Sequence, residues 1–264
     1  MTGTSPPNAG EDENVDPDLL LEGRNLLRGA LRIVALTGAG ISTEAGIPDF
    51  RGPDGVWTRN PAAEKLSHLS VYLEDADVRR AAWRARLDAP IWSAEPTAGH
   101  RALVDLENRG TLHTIVTQNV DGLHQAAGSS PELVVEVHGT SRVTACWTCG
   151  ERQPTSAVLE RVRAGDDDPA CERCGGILKT ATISFGQSLD PEDLERAQLA
   201  AFGSDVLIAI GSTLEVQPVA GIVPLAKRAG AAIVIVNAGP TRYDALADLV
   251  IRGRIGQVLP ALVS

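Results

Sequence analysis

Residues 31–52 read LRIVALTGAGISTEAGIPDFRG. Leu31–Leu36 is a short aliphatic run, the mark of a strand buried on both faces. Gly38 and Gly40 follow at once. A Gly-x-Gly turn after a buried strand lets backbone N–H groups come close to a pyrophosphate at a helix N-terminus. Thr43 stands where the usual dinucleotide fingerprint has its third glycine. Ile47-Pro48-Asp49-Phe50-Arg51-Gly52 then joins a proline, an acid, an aromatic and a base in one stiff loop suited to carrying chemistry.

Outward from this stretch the chain alternates strands and helices. Asp18–Ala30 has apolar residues at helical spacing and leads into the first strand. Pro96–Gly110 reads as a helix with Thr97 near its start and Gly110 past its end. Five more short β-rich runs follow, at 113–117, 133–137, 206–210, 232–236 and 248–251. Helices are expected over 218–229 and 256–262. The expected fold is α/β, a doubly wound parallel sheet of Rossmann type. Two insertions leave it, a helical one at about 53–95 and a second at 140–182, so the sheet domain spans 19–139 and 183–264. The arginines of the helical insertion read as a solvated face.

Ligands of open α/β sheets bind at the carboxyl ends of strands. Gln118, Asn119 and Asp121 stand at one such end, and His138-Gly139 at the next. Gly211-Ser212-Thr213 and Asn237 end two later strands, where small hydroxyls and an amide suit a phosphate or a ribose. Trp57 is an aromatic anchor after the Gly52 turn.

All four cysteines fall in the second insertion, as Cys146-x-x-Cys149 and Cys171-x-x-Cys174, with 21 residues between the pairs. Two such pairs read as one tetrahedral zinc site. Four thiolates leave no open position, so the zinc is structural and not catalytic. The acidic loop 164–169 simply lengthens the connection.

The net charge is −10, and five of those charges (Glu11, Asp12, Glu13, Asp16, Asp18) sit in residues 1–18 without a Lys or Arg. That segment reads as a disordered acidic tail. The acidic body gives no basic face for nucleic acid. No apolar run approaches the roughly 18 residues of a membrane helix, and no secretory leader is present, so the expectation is a cytoplasmic protein.

The string GAGISTEAGIPDFRG, with TQNVDGLH, a His-Gly pair before the first cysteine pair, the two CxxC pairs and the later strand ends in the same order, resembles the sirtuins, NAD-dependent protein-lysine deacylases. The resemblance runs from about Leu31 to Leu262; the GPDGVWT, PTAGHRAL and VIVNAGPTRYDALADLVIRG stretches are most similar to the branch that includes the nuclear mammalian sirtuins. It implies NAD as co-substrate, one structural zinc held by Cys146, Cys149, Cys171 and Cys174, and an acylated-lysine protein as substrate. By resemblance, Gly38, Ala39, Gly40 and Glu44 line the pyrophosphate turn, and Ile47 and Asp121 hold the nicotinamide carboxamide. Phe50 covers the ribose, while Asp49 and Arg51 order the loop and Trp57 adjoins it. Gln118 and Asn119 bind the nicotinamide ribose and a water. Gly211, Ser212, Thr213, Asn237 and Ile255 contact the ADP half, and Phe185 and Gly186 adjoin the substrate peptide. His138, with Asn119, is the implied catalytic pair. The acyl oxygen attacks C1′ as nicotinamide leaves, an alkylimidate forms, and His138 takes a proton from the ribose hydroxyls. The implied products are nicotinamide, O-acyl-ADP-ribose and free lysine.

Thr180 and Gln187 depart from the commonest family pattern, which has a proline and an acid there. Sirtuins that prefer acidic acyl groups carry a Tyr-x-x-Arg pair in the helical insertion. Residues 72–92 have none, which argues against succinyl or malonyl groups and leaves acetyl and longer apolar chains. Mono-ADP-ribosyl transfer is an alternative use of the same NAD-cleaving residues. A dehydrogenase would share the sheet and NAD but has no reason to carry the cysteine module or the Ile-Pro-Asp-Phe-Arg loop. A non-catalytic zinc-ribbon binder would consume no NAD.

Overall fold

The computed structural model describes residues 15–50, 52, 55–59 and 67–264. The first helix, α1 (Pro17–Gly29), has proline at its first position, and the Asp16 side chain accepts from Asp18 N–H as N-cap. Residues 17 and 18, assigned in sequence to the acidic tail, therefore belong to this helix; the tail's residues 1–14 lie outside the described residues.

β1 (Ile33–Thr37) starts two residues later than expected. Leu31 is 82% exposed, and the N–H groups of Leu31 and Arg32 both donate to the Asp205 carboxylate, which ends the strand there. A 3₁₀ helix (Ala39–Ala45) follows. Next come α2 (Val56–Arg59), α3 (Leu69–Glu74), α4 (Ala76–Leu87), α5 (Ala98–Asn108), β2 (Leu112–Thr117), α6 (Leu123–Ala127) and β3 (Val134–Glu136). After them stand β4 (Gly139–Cys146), β5 (Arg152–Pro154), α7 (Thr155–Arg163), β6 (Leu178–Thr182) and α8 (Pro191–Phe202). The chain closes with β7 (Val206–Ile210), α9 (Ile222–Ala229), β8 (Ala232–Val236), β9 (Leu249–Ile251) and α10 (Ile255–Val263).

Six strands form one sheet in the order β3-β2-β1-β7-β8-β9, and every pairing is parallel. Strand order reverses at β1, so the crevice of a doubly wound sheet opens between β1 and β7. The side chains of β1 alternate between two cores. Ile33 and Ala35 pack with α1, α5 and α10, while Val34 and Leu36 pack with α8 and α9. This is why the strand reads as an unbroken apolar run.

β4, β5 and β6 form a second, antiparallel sheet beside α7. Its core of Cys146, Val158, Leu159, Val162, Cys171 and Leu178 also contains Trp83 of α4, with Leu87 and Trp92 against it. The two insertions thus share one core. Nor is the arginine face of α4 wholly solvated: Arg84 is 67% exposed, but Arg79 is only 13% exposed. Arg79 grips the Asp168 carboxylate at 2.9–3.0 Å, and Arg80 and Arg84 reach Asp167. Helical periodicity cannot report an acidic loop that folding brings opposite, so loop 164–169 is a docking element and not a mere lengthening. No helix among the described residues is long and apolar enough to cross a membrane.

Candidate active site

A cavity of about 2420 Å³ opens at the carboxyl ends of β1, β2, β7 and β8 and runs on between the main sheet and the small unit. Gly38, Ala39, Gly40, Glu44, Asp49, Phe50, Gln118, Asn119, His138, Phe185, Gly186, Gly211, Ser212, Thr213, Asn237 and Ile255 border it. Ile47 and Asp121 are not on its wall. Arg51 lies outside the described residues, as does the side chain of Trp57.

The two glycines of the first turn do something other than expected. Gly38 N–H donates to Ile210 O and Gly40 N–H to Gly211 O, each at 2.9 Å. Those donors are spent on the neighbouring strand end and are not offered to a pyrophosphate. A Cβ on Gly40 would lie 2.6 Å from Gly211 Cα, so glycine is required for the β1 and β7 turns to touch. Ala39, first in the 3₁₀ helix, keeps its N–H free of a partner among the described residues. Glu44 accepts from Gly256 N–H at 3.1 Å, tying the turn to the start of α10.

Asp121 lies just behind the wall and is 4% exposed. Its carboxylate accepts from Ser42 Oγ at 2.7 Å and Leu123 N–H at 2.9 Å. Asn119 Nδ2 donates to Gly38 O and Ser42 Oγ. Ser42 therefore joins the two polar strand-end residues to the first turn. Sequence reading did not single it out, because a serine in a polar loop carries no signal of its own. Beneath it, Thr37 Oγ1 meets His124 Nε2 at 2.9 Å, and the His124 and His100 rings lie 4.9 Å apart. His100 also completes a capping box with Thr97, the one sequence cue (Thr-x-x-His) by which it could have been found. Burial, above all, holds His100 down at about 4 and His124 at about 3.

His138 follows β3, and its Nδ1 lies 3.0 Å from the carbonyl oxygen of Gln118. A carbonyl only accepts, so Nδ1 carries the hydrogen and Nε2 is the basic nitrogen. Burial depresses the His138 pKa, partly opposed by that hydrogen bond. The imidazole is thereby kept neutral and able to take a proton at neutral pH. Gln118 Nε2 donates to Ser212 Oγ at 3.0 Å, linking the β2 and β7 ends. Phe185 pairs its main chain with Ser67 and Leu69, so the helical insertion pins the loop that begins the far wall.

The four cysteine sulfurs all lie within 4.8 Å of one another, with Cys146–Cys174 at 3.5 Å and Cys149–Cys171 at 3.8 Å. A tetrahedron of about 2.3 Å Zn–S bonds has edges of about 3.8 Å. The donor set and its spacing therefore fit one zinc ion, closed to further ligands. Gly150 and Gly175, directly after each pair, take positive φ of 73° and 72° and turn the chain back around the site.

The chain is similar to known proteins over most of its length. A Sir2 family model matches residues 38–218. The NAD-dependent protein deacetylase 2 of Streptomyces coelicolor is 50% identical over 237 residues, covering 90% of this chain and 98% of that protein. A solved Sir2 complex with a deacetylated p53 peptide and 3′-O-acetyl ADP-ribose superposes with a TM-score of 0.85 at 30% identity, over 92% of this chain and 96% of the other. A Sir2 complex with p53 peptide and NAD superposes with a TM-score of 0.81 at 31% identity, over 90% and 94%.

Proposed function

This chain belongs to the Sir2 family, with NAD-dependent protein deacetylation as its reaction, and from that premise we propose how its own residues carry the reaction. NAD supplies an electrophilic ribose carbon when nicotinamide leaves. The ADP half lies along the Gly211–Thr213 turn, Asn237 and Ile255, and the pyrophosphate faces the free N–H of Ala39. The ribose next to nicotinamide meets Gln118 and Asn119. Asp121 acts from behind, fixing the Ser42–Asn119 pair and reaching the carboxamide. Ile47, like Asp121 not on the cavity wall, is assigned to the carboxamide from the resemblance alone. Phe50, 45% exposed, covers the ribose. Asp49 holds the loop by accepting from Gly52 N–H at 2.9 Å. Arg51 is assigned to the same loop from sequence alone.

The acylated lysine enters past Gly186, and its protein carrier lies over the far wall. The p53 peptide complexes support an acylated peptide as the second substrate. Bacterial relatives support a cytoplasmic setting. The sheet domain holds NAD, and the unit around the four cysteines, with its zinc, forms the opposite jaw.

One observation carries the reading. His138 donates through Nδ1 to Gln118 O, so its unprotonated Nε2 is the base on a wall shared with the residues assigned to the ribose. The test is mass spectrometry of purified protein with NAD and an acetyl-lysine peptide, beside His138→Ala. Free lysine peptide with O-acetyl-ADP-ribose, lost in the variant, is expected. Nicotinamide release with the peptide still acetylated, and ADP-ribose on protein, would replace deacetylation by ADP-ribosyl transfer.

A further inference from the structure

One arginine behind the cavity joins three parts of the chain. Arg142 stands in β4, midway between His138 and Cys146. Its Nε donates to the Asp121 carbonyl oxygen at 2.9 Å, and its Nη2 to the Ile91 carbonyl oxygen at 3.0 Å. The guanidinium lies over the Trp92 ring, 5.3 Å from its centre. Ile91 and Trp92 belong to the 3₁₀ turn Pro90–Trp92, at the end of the helical insertion. Trp92 is fixed in turn, because its Nε1 donates to Arg86 O and its ring packs on the core shared with the cysteine unit.

The loop after β2 is shaped to receive this side chain. Ser141 N–H donates to Val120 O at 2.9 Å, so the start of β4 holds two consecutive carbonyls of that loop. Gly122 takes a φ of 71°, and a Cβ on it would lie 3.2 Å from both Cγ and Nε of Arg142. Glycine there lets the arginine lie flat across the backbone. Asp121 is thereby gripped at both ends. Arg142 holds its main chain, while Ser42 Oγ and Leu123 N–H hold its carboxylate. Arg142 itself is not on the cavity wall. Neither of its two bonds goes to a carboxylate, so its contribution is a planar fork that bridges two carbonyls, which an ammonium cannot reproduce.

We propose that Arg142 is a positioning residue that fixes Asp121 relative to the cavity, so that the cysteine unit and the helical insertion together set how firmly the nicotinamide carboxamide of NAD is held. The inference rests on the carboxamide role given to Asp121 above. Free nicotinamide carries the same carboxamide, so affinity for NAD and inhibition by nicotinamide should change together when the fork is lost. The acyl peptide lies over the far wall and should be bound as before. A residue that merely braced the small unit would disturb both substrates alike.

Kinetics with NAD, an acetyl-lysine peptide and added nicotinamide test this in wild type, Arg142→Gln and Arg142→Lys, with NAD binding measured separately by calorimetry. Arg142→Gln should raise KM for NAD and the half-inhibiting nicotinamide concentration together by about three- to tenfold, with KM for the peptide unchanged. Arg142→Lys keeps the charge but reaches one carbonyl at a time, so it should fall between wild type and Arg142→Gln. If Arg142→Gln does not fold, the lysine variant carries the same comparison. Equal rises for NAD and peptide, nicotinamide inhibition that stays put while KM for NAD moves, or a lysine variant equal to wild type would overturn the proposal. If wild type turns over no peptide, the deacetylase reading fails instead, and the ratio of NAD affinities between wild type and variants still decides this one.

Discussion

At the scale of single residues, His138 and Ser42 divide the labour of the site. His138→Ala should lower kcat by about 10²–10⁴, the usual worth of a positioned base, with an unchanged circular dichroism spectrum. Burial disfavours the imidazolium, so its pKa falls below the ordinary 6.5. The base therefore stays neutral further into acid, and the acid limb of kcat/KM for the acyl peptide should inflect below pH 6.5. An inflection above 7 would contradict the burial argument. Ser42→Ala removes the hydroxyl that accepts from Asn119 and donates to Asp121, leaving two buried polar groups short of a partner. The expected result is a rise of about five- to tenfold in KM for NAD, with KM for the peptide little changed.

Between elements, the informative contact is α4 on loop 164–169. Arg79 and Asp168 are 13% and 21% exposed, so their bidentate pair is poorly screened. Asp168→Ala should destabilise the protein by about 1–3 kcal/mol, read as a lowered urea midpoint, whereas Arg84→Ala at a 67% exposed position should change it little. Elements are also where the sequence was most and least readable. The central strands β1, β7 and β8 are buried on both faces along almost their whole length, so each shows as a compact aliphatic run and could be placed within two residues. The strand-end suspects Gln118, Asn119, His138, Ser212 and Asn237 followed from topology and do border the cavity. What could not be read are pairings between distant segments: the acidic loop under α4, and the glycine N–H groups of the first turn spent on the β7 end. Local pattern reports which face a residue occupies, but not what folding sets against it.

For the molecule as a whole, the shared core of the two insertions makes the zinc a determinant of the active cavity and not only of its own loop. β6 leaves the metal site at Leu178, three residues on from Gly175, and continues as Thr180 and Thr182 on the cavity wall. Cys146 and Cys171 are themselves core residues beside Trp83. A protein holding about one zinc per chain by elemental analysis is expected. Stripping it with a strong chelator should loosen β4–β6 and α4 together, because unpaired thiolates cannot stay clustered within 4.8 Å. The main sheet buries its own two cores, so it should survive. Trp83 is wholly buried, and three of the four tryptophans (Trp83, Trp92 and Trp147) lie in the affected region. Fluorescence should therefore shift to the red while most far-ultraviolet dichroism remains. Deacetylation should be lost before NAD binding is, since the residues assigned to the ADP half belong to β7, β8 and α10. If the zinc-free protein kept full turnover and an unshifted emission, the small unit would be held by its apolar core alone, and the metal would have no part in shaping the cavity.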